Sequence, residues 1–572
     1  MKMKNIYKIL RAIVVIVLVI FSSCDTFELN LTDDPNYLTP SQADVNFFLN
    51  SLQEDFVRQI DGDADYDNND NWQSGGATYG DGLSIFGAEL TRMYNMGSTQ
   101  SSTYASAYQA NDGDDEWINA YQGILADIKA MMPLAEENEM YKHIAIAQFI
   151  QAYVFSAMVD FFGDIPYTEA IQGSENLNPN VDSGASIYEA CLVLLDEAIA
   201  NFGKTAINPA VDLYYNKNYT KWIKAANTLK MRLYFQRRLV DNTAVSKIEA
   251  ILASGNYISS TADDFQFNWP ATSATGPDTR HPRYGLNYTP TGGNTYMSNW
   301  FMNLMMVNND PRIRYYFYRQ TPATPGAEIE PNEQLLQCSP QAAPAHYVAG
   351  GFTFCYLNNG YWGRDHGDTD GIPPDGLLRT TVGVYPAGGR FDDDSFDEIT
   401  SGQGAGGNGI TPILTASWVD FMRAELALDA GNAPLAKTYM QAGTTKSITK
   451  VMSFLSRDPG ADTSYAPTQD DVDDYMKSIG DAFDAGNTTK KWNILGEQFF
   501  VAAYGNGIET YNFYRRTGYP TTLQPNLAPN PGSFVMTLWY PSNVVNTNSN
   551  ISQKPDVAQP VFWCTKGVPA AN

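Results

Sequence analysis

Residues 141–170 read YKHIAIAQFIQAYVFSAMVDFFGDIPYTEA, and the way this stretch must be buried decides the fold. Its first part has the spacing of one helix of about five or six turns. Ile144, Ala147, Ile150, Val154, Ala157, Met158 and Phe161 follow helical periodicity, while Ile146, Phe149, Tyr153 and Phe155 carry the apolar surface onto other faces. A helix apolar nearly all round needs protein neighbours on more than one side. It is short for a membrane span and is interrupted by Gln148, Gln151 and Asp160. Ala145, Ala147, Ala152 and Ala157 allow other helices to approach closely, and Gly163 followed by Pro166 marks the stop.

The neighbours are legible on both sides. Residues 117–134 place Trp117, Ile118, Tyr121, Ile124, Leu125, Ile128 and Met132 at helical spacing, and the short turn before Tyr141 predicts antiparallel packing of these two helices. Residues 187–202 and 222–240 are amphipathic, the second ending in Arg237 and Arg238 at its favourable C-terminal end, and 244–253 adds a shorter helix. Helical patterns resume at 413–429, 433–454, 468–484 and 491–510. Ala, Tyr, Leu and Trp recur on these pairs as in tetratricopeptide-type hairpins of roughly 34 residues, without the strict consensus. One such pair cannot bury its apolar faces alone and needs stacked neighbours. The expected fold is therefore mostly α, a tetratricopeptide-like helical repeat scaffold over about 111–255 and 411–515. Between them, over about 256–410, periodicity gives way to Gly, Pro, Asn, Asp and aromatics. That is too long for a plain loop and predicts an irregular, loop-rich subdomain with a function.

The N-terminus carries an export signal. Lys2, Lys4, Lys8 and Arg11 precede the apolar run Ala12–Phe21, then Ser22, Ser23 and Cys24. This is the layout of a bacterial lipoprotein signal, with residues 1–23 removed, Cys24 lipidated and 24–572 left as one domain. An acylated Cys24 would hold the protein on a membrane. The formal charge of −26 speaks against wrapping nucleic acid or adhering to anionic lipid. Aromatics make up 13% of the chain, including 35 Tyr and 10 Trp; most are expected in a rich aromatic core and a handful at the surface as stacking platforms.

Of the other cysteines, Cys191 lies on an apolar helical face and reads as a buried thiol, and Cys338 and Cys355 are a candidate pair. No CxxC or HExxH pattern supports zinc. The acidic loop at 61–71, DGDADYDNNDN, lacks the internal Gly and terminal Glu of an EF-hand. A solvated loop is the preferred reading there, with a bound calcium ion as the alternative and no cofactor expected.

Several blocks in order resemble the SusD/RagB family of outer-membrane nutrient-binding lipoproteins, in particular its SusD-like second subgroup. They are LNLTDDPN after Cys24, the Ala-rich helix ending in FGDIPY, KWIKAANTLKMRLYFQRR, WVDFMRAELALDAG, GNGIETYNFYRRTGYP and, more weakly, FVMTLWYPSNVVNTNSN. The resemblance implies a tetratricopeptide-like scaffold whose irregular subdomain carries ligand-facing loops. It also implies a cell-surface lipoprotein that acts as a lid over a SusC-like TonB-dependent outer-membrane transporter. Such a lid captures an oligosaccharide, or in some members a peptide, and hands it over without catalysis.

Sugar rings offer C–H faces that stack on flat aromatics and hydroxyls that pair with short polar side chains. Three loops suit this. Trp72 and Tyr79 sit among glycines, Tyr296 and Trp300 flank Asn299 on the helix predicted over 295–308, and Tyr361, Trp362, Arg364 and Asp365 follow Asn358 and Asn359. Arg515 and Arg516 are expected to pair with acids such as Glu509 or Glu425. Asp160, Gly163, Asp164, Pro166 and Tyr167 read as a helix stop with a locally hydrogen-bonded turn. His366, beside Asp365, Asp368 and Asp370, reads as part of an acidic surface loop rather than an acid/base group. No GxSxG elbow is present.

Overall fold

The computed structural model describes residues 44–63, 82–96, 102–272, 278–290, 292–325, 338–368 and 378–567. Cys24, Trp72, Tyr79, Asp370 and most of the acidic loop at 61–71 lie outside these residues, and so do the expectations placed on them. The described residues from Val45 onward make one compact unit.

The helices that build the scaffold are α1 (Val45–Asp61), α2 (Leu83–Leu90), α3 (Leu125–Glu137), α4 (Tyr141–Phe162), α5 (Gly184–Gly203), α6 (Tyr219–Arg237) and α7 (Ala244–Ser254). After the irregular region, which holds α8 (Asn299–Val307), come α9 (Ala416–Asp429), α10 (Ala433–Met452), α11 (Gln469–Ala485), α12 (Thr488–Ala502) and α13 (Gly507–Thr517). The fold is mostly α, as the periodicity predicts.

Helix α4 is the element the others surround. Contrary to the expectation from its polar interruptions, this 22-residue helix is long and apolar enough to cross a membrane, but almost all of it is buried inside protein. Its main partner is α5, with α3, α1 and α6 also against it. The expected α3–α4 pair is therefore present but secondary. Residues 114–137 are also not one regular helix, because a π-helical turn over Asn119–Ile124 precedes α3. In that turn Asn119 Nδ2 donates to the Asp55 carbonyl at 3.0 Å and to Gln59 Oε1 at 2.9 Å, so widening the turn aims an amide at α1. The pattern over 491–510 is likewise divided, into α12 and α13.

Gly163, at φ 76°, ends α4 as expected. The residues around it are not satisfied locally, however. Asp164 Oδ1 accepts the Gly184 N–H at 2.8 Å at the start of α5, and Asp182 Oδ2 accepts the Tyr167 N–H at 2.9 Å. Asp160 is fully buried and accepts from Trp563 Nε1 (2.9 Å), Asn512 Nδ2 (2.8 Å) and Arg232 Nη2 (3.1 Å), and from the Tyr188 hydroxyl. These donors come from α5, α6, α13 and the C-terminal segment. A buried carboxylate is tolerated only when such partners compensate its lost hydration. One side chain of α4 therefore ties distant parts of the chain together.

The arginines of α13 divide the expected roles. Arg516 pairs with Glu425, while Arg515 donates to the backbone carbonyls of Asp160 (2.7 Å) and Met536 (2.6 Å) and to Asn512 Oδ1 (2.5 Å). Glu509 is taken by Arg232 instead. Helix α13 can approach α2 so closely only because both carry glycine at the crossing. A Cβ on Gly507 would lie 2.1 Å from the Ser84 carbonyl oxygen.

Strands are few and lie in the irregular region: β1 (Phe265–Asn268), β2 (Phe317–Tyr318), β3 (Thr381–Val382) and β4 (Ile410–Leu414). β1 pairs antiparallel with β4, placing Phe267 opposite Thr411, and β2 pairs antiparallel with β3. The β1–β4 ladder joins the two ends of the region and seats it on the scaffold. Tyr284, Tyr288, Tyr315, Tyr316, Tyr385 and Phe391 enter the same core as α4. The irregular stretch is thus packed on the helices rather than hung from them.

Candidate functional site

Two of the three loops singled out in the sequence meet. Met297 bridges to Tyr94 and Ser298 to Arg364, so the segment before α8 lies between the end of the α2 loop and residues 361–366. The Asn299 N–H donates to the Arg364 carbonyl at 2.9 Å, and the Arg364 N–H to the Met297 carbonyl at 3.0 Å. Tyr296 precedes α8 rather than lying on it, which corrects the helix start expected near Thr295.

The side chains proposed as exposed platforms face inward. Trp362 is 1% exposed, and Tyr296, Trp300, Tyr361, Arg364 and Asp365 are buried as well. Each has a structural reason. Trp300 Nε1 donates to the Thr522 carbonyl at 2.7 Å. Tyr361 lies 5.0 Å from the Arg319 guanidinium, which is itself fixed by Asp392 at 2.6 Å. The Arg364 and Arg379 guanidiniums lie 3.7 and 4.4 Å from the Tyr296 ring. Asp365 accepts the Cys355 N–H (2.6 Å), Gln524 Nε2 (2.9 Å) and Asn299 Nδ2 (3.2 Å). Burial lifts its pKa above the usual carboxylate range, and these three donors oppose the rise.

His366 is buried too, not part of a surface loop. Burial, with Arg92 adding to it, pushes its pKa well below the ordinary range, so the ring is neutral. Among the described residues neither of its nitrogens meets a hydrogen-bond partner, nor does Trp362 Nε1 or the Tyr296 hydroxyl. Asp368 is also interior. No group of His, Cys, Asp and Glu among the described residues is arranged to hold a metal ion.

What the buried set does is hold a frame. Cys338 and Cys355 form a disulfide, and Trp362 packs on it with Phe354, Tyr356 and Leu378 around them. Cys191 is the buried thiol expected. On this frame the segment GFTFCYL is irregular and turns at Cys355, at φ 73°, where the Tyr356 N–H donates to the Phe354 carbonyl at 2.9 Å. Phe352, Phe354 and Tyr356 are half-buried, while Cys355 and Leu357 point inward and Asn358 and Asn359 are exposed. Buried Tyr347 backs the row, its ring 6.0 Å from Phe352 and 6.2 Å from Phe354, and its hydroxyl donates to the Pro525 carbonyl at 2.9 Å. The partly exposed rings of this site are therefore Phe352, Phe354 and Tyr356, which reading for Trp and Tyr beside glycine misses. No periodic signal marks them, because Cys355, at φ 73°, breaks the extended backbone on which alternate residues would share a face. Chemically, the segment offers partly exposed ring faces and exposed amides on a braced backbone, groups able to contact a ligand.

Residues 84–329 match the family model described as starch-binding, associating with outer membrane, and residues 383–557 match the one described as SusD and RagB outer membrane lipoprotein. The chain belongs to the SusD/RagB family. Solved structures share its tetratricopeptide-like helical fold at low identity. A chitin-binding SusD homologue from Flavobacterium johnsoniae is 17% identical, with a TM-score of 0.61 over 91% of this chain and 100% of that one. A SusD homologue from Bacteroides fragilis is 17% identical, with a TM-score of 0.61 over 91% and 99%. Another structure, described as a chitin-binding protein, is 19% identical, with a TM-score of 0.63 over 91% and 100%. No curated protein matches. Of the SusD/RagB blocks of this chain, YNFYRRTGYP supplies Asn512 and Arg515 to the buried network around Asp160, and FGDIPY is the stop of α4, tied to the start of α5 through Asp164.

Proposed function

We propose that this SusD/RagB protein is a cell-surface lipoprotein, anchored through Cys24, that binds neutral oligosaccharides and delivers them to a SusC-like TonB-dependent transporter. It would act as the transporter's lid and carry out no catalysis. The observation that carries the reading is the row Phe352, Phe354 and Tyr356 with Asn358 and Asn359, set on a disulfide-locked frame. Ring faces that can stack on C–H bonds, adjoining amides that can pair with hydroxyls, are what a saccharide requires. The family descriptions, starch-binding and outer membrane lipoprotein, support it, as do the two chitin-binding relatives. A strongly acidic chain favours an uncharged glycan over an anionic one. The test is a binding and turnover assay of the intact protein with neutral hexasaccharides, including chitin and starch fragments. Binding without product, together with co-purification of an outer-membrane barrel, is expected. Persistent product formation would contradict it.

A further inference from the structure

A second cleft, of about 710 Å³, opens between the turn after α8 and the start of α11. Its volume falls within the ~300–1,000 Å³ typical of small-ligand sites. The floor is rigid. Arg312 is buried and donates to both oxygens of Asp310, Nε to Oδ1 at 2.8 Å and Nη2 to Oδ2 at 2.6 Å. Tyr475 closes the floor by donating to Asp310 Oδ2 at 2.6 Å.

One ring stands at the wall. Tyr465 is 41% exposed, unusual for a large side chain in a cleft. The Arg314 guanidinium lies 5.4 Å from its centroid. That guanidinium is itself held, by Asp394 at 2.8 and 3.3 Å and by the Asp392 carbonyl at 2.8 Å. Tyr465 is therefore a pre-positioned platform, and ordering it costs a ligand little. Around it Asn308, Ser464, Asp474 and Ser478 supply exposed polar groups. The only cation lining the cleft among the described residues, Arg314, is neutralised by Asp394, and Asp474 adds a negative charge at the rim. An anionic ligand is disfavoured, and a flat-faced polyol is accommodated.

We infer that this cleft is a second, independent subsite for a neutral saccharide, with Tyr465 as its stacking ring. The inference rests on the saccharide-binding reading above.

The test titrates wild type, Tyr465→Ala, Tyr465→Phe and Tyr356→Ala with neutral hexasaccharides, chitin and starch fragments among them, and follows tyrosine-ring NMR signals and stoichiometry. The inference expects two binding events in wild type. Tyr465→Ala should weaken one about tenfold, Tyr465→Phe should retain it, and Tyr356→Ala should leave it in place. A single event lost in Tyr356→Ala and unchanged in Tyr465→Ala overturns the second subsite and leaves the main reading standing. No binding by any form overturns both.

Discussion

Arg516 grips the Glu425 carboxylate with two parallel hydrogen bonds of 2.8 Å, Nε to Oε1 and Nη2 to Oε2. Arg238, the residue that caps the end of α6, donates to the same Oε1 at 2.5 Å. Three scaffold helices, α6, α9 and α13, thus meet on one buried carboxylate. Burial raises the Glu425 pKa, but Arg516 and Arg238 outweigh it and hold the group below the usual range. With a folded pKa below the unfolded value of ~4.3, the group's stabilisation is present above that value and is lost as pH falls through the folded one. Glu425→Ala leaves the buried Arg516 without a carboxylate and Arg238 with Asp429 alone, and is expected to cost about 3 kcal/mol in urea unfolding.

Trp362 and Tyr356 should separate stability from binding. Trp362 fills the space beside the disulfide, so Trp362→Ala is expected to cost about 3–5 kcal/mol. Tyr356 is half-exposed, and Tyr356→Ala should cost about 1 kcal/mol or less while lowering oligosaccharide affinity. Denaturant melts and calorimetric titration on both variants check this.

The disulfide closes a loop with a sequence separation of 17 residues. Removing such a closure costs roughly 3 kcal/mol. The double replacement Cys338→Ser, Cys355→Ser should lower the melting temperature, and it should weaken ligand binding more than it weakens the helical scaffold, read by far-UV circular dichroism.

At the α2–α13 crossing, Gly507→Ala must push the helices apart, because a Cβ there meets backbone rather than a movable side chain. A loss of about 1–3 kcal/mol is expected. An unchanged urea midpoint would show that the crossing can relax.

Asp61 and His281 make a pH-sensitive pair, Oδ2 to Nε2 at 3.4 Å. Burial lifts Asp61 to about 6, against the lowering influence of Arg283, Thr411 and Arg58. Burial, with Arg283 adding to it, lowers His281 to about 3. Between about pH 4 and 6 the folded state holds the extra proton on Asp61, which makes stability fall as pH rises. Over the same range the unfolded state holds the extra proton on His281, which makes stability rise. Asp61→Asn removes the falling contribution, so the variant's melting temperature should climb more steeply from pH 4 to 6 than that of wild type.

The scaffold was legible because its helices are long and periodic, and all-round apolarity forced α4 into the centre. Arg516–Glu425 could be anticipated because a buried arginine needs an acid. The same reasoning did not tell Arg515, which is satisfied by carbonyls, from Arg516. At the candidate site, the side chains that sequence proposed as exposed platforms turned out to be buried. Trp362 and Phe354 are both large and apolar, and which one turns inward depends on the 338–355 disulfide and on Thr380, whose hydroxyl accepts the Trp362 N–H at 2.8 Å. Local composition does not encode those long-range partners. Asp160 is the same case on the scaffold, since its donors come from residues as distant as Trp563.

The most direct test of the account is the affinity of the double variant Phe354→Ala, Tyr356→Ala for the hexasaccharide that binds wild type best, measured by titration calorimetry on protein shown to be folded. The account predicts a loss of about tenfold or more in the event assigned to this site, with wild-type melting behaviour nearly retained. Unchanged affinity in the folded double variant would contradict it.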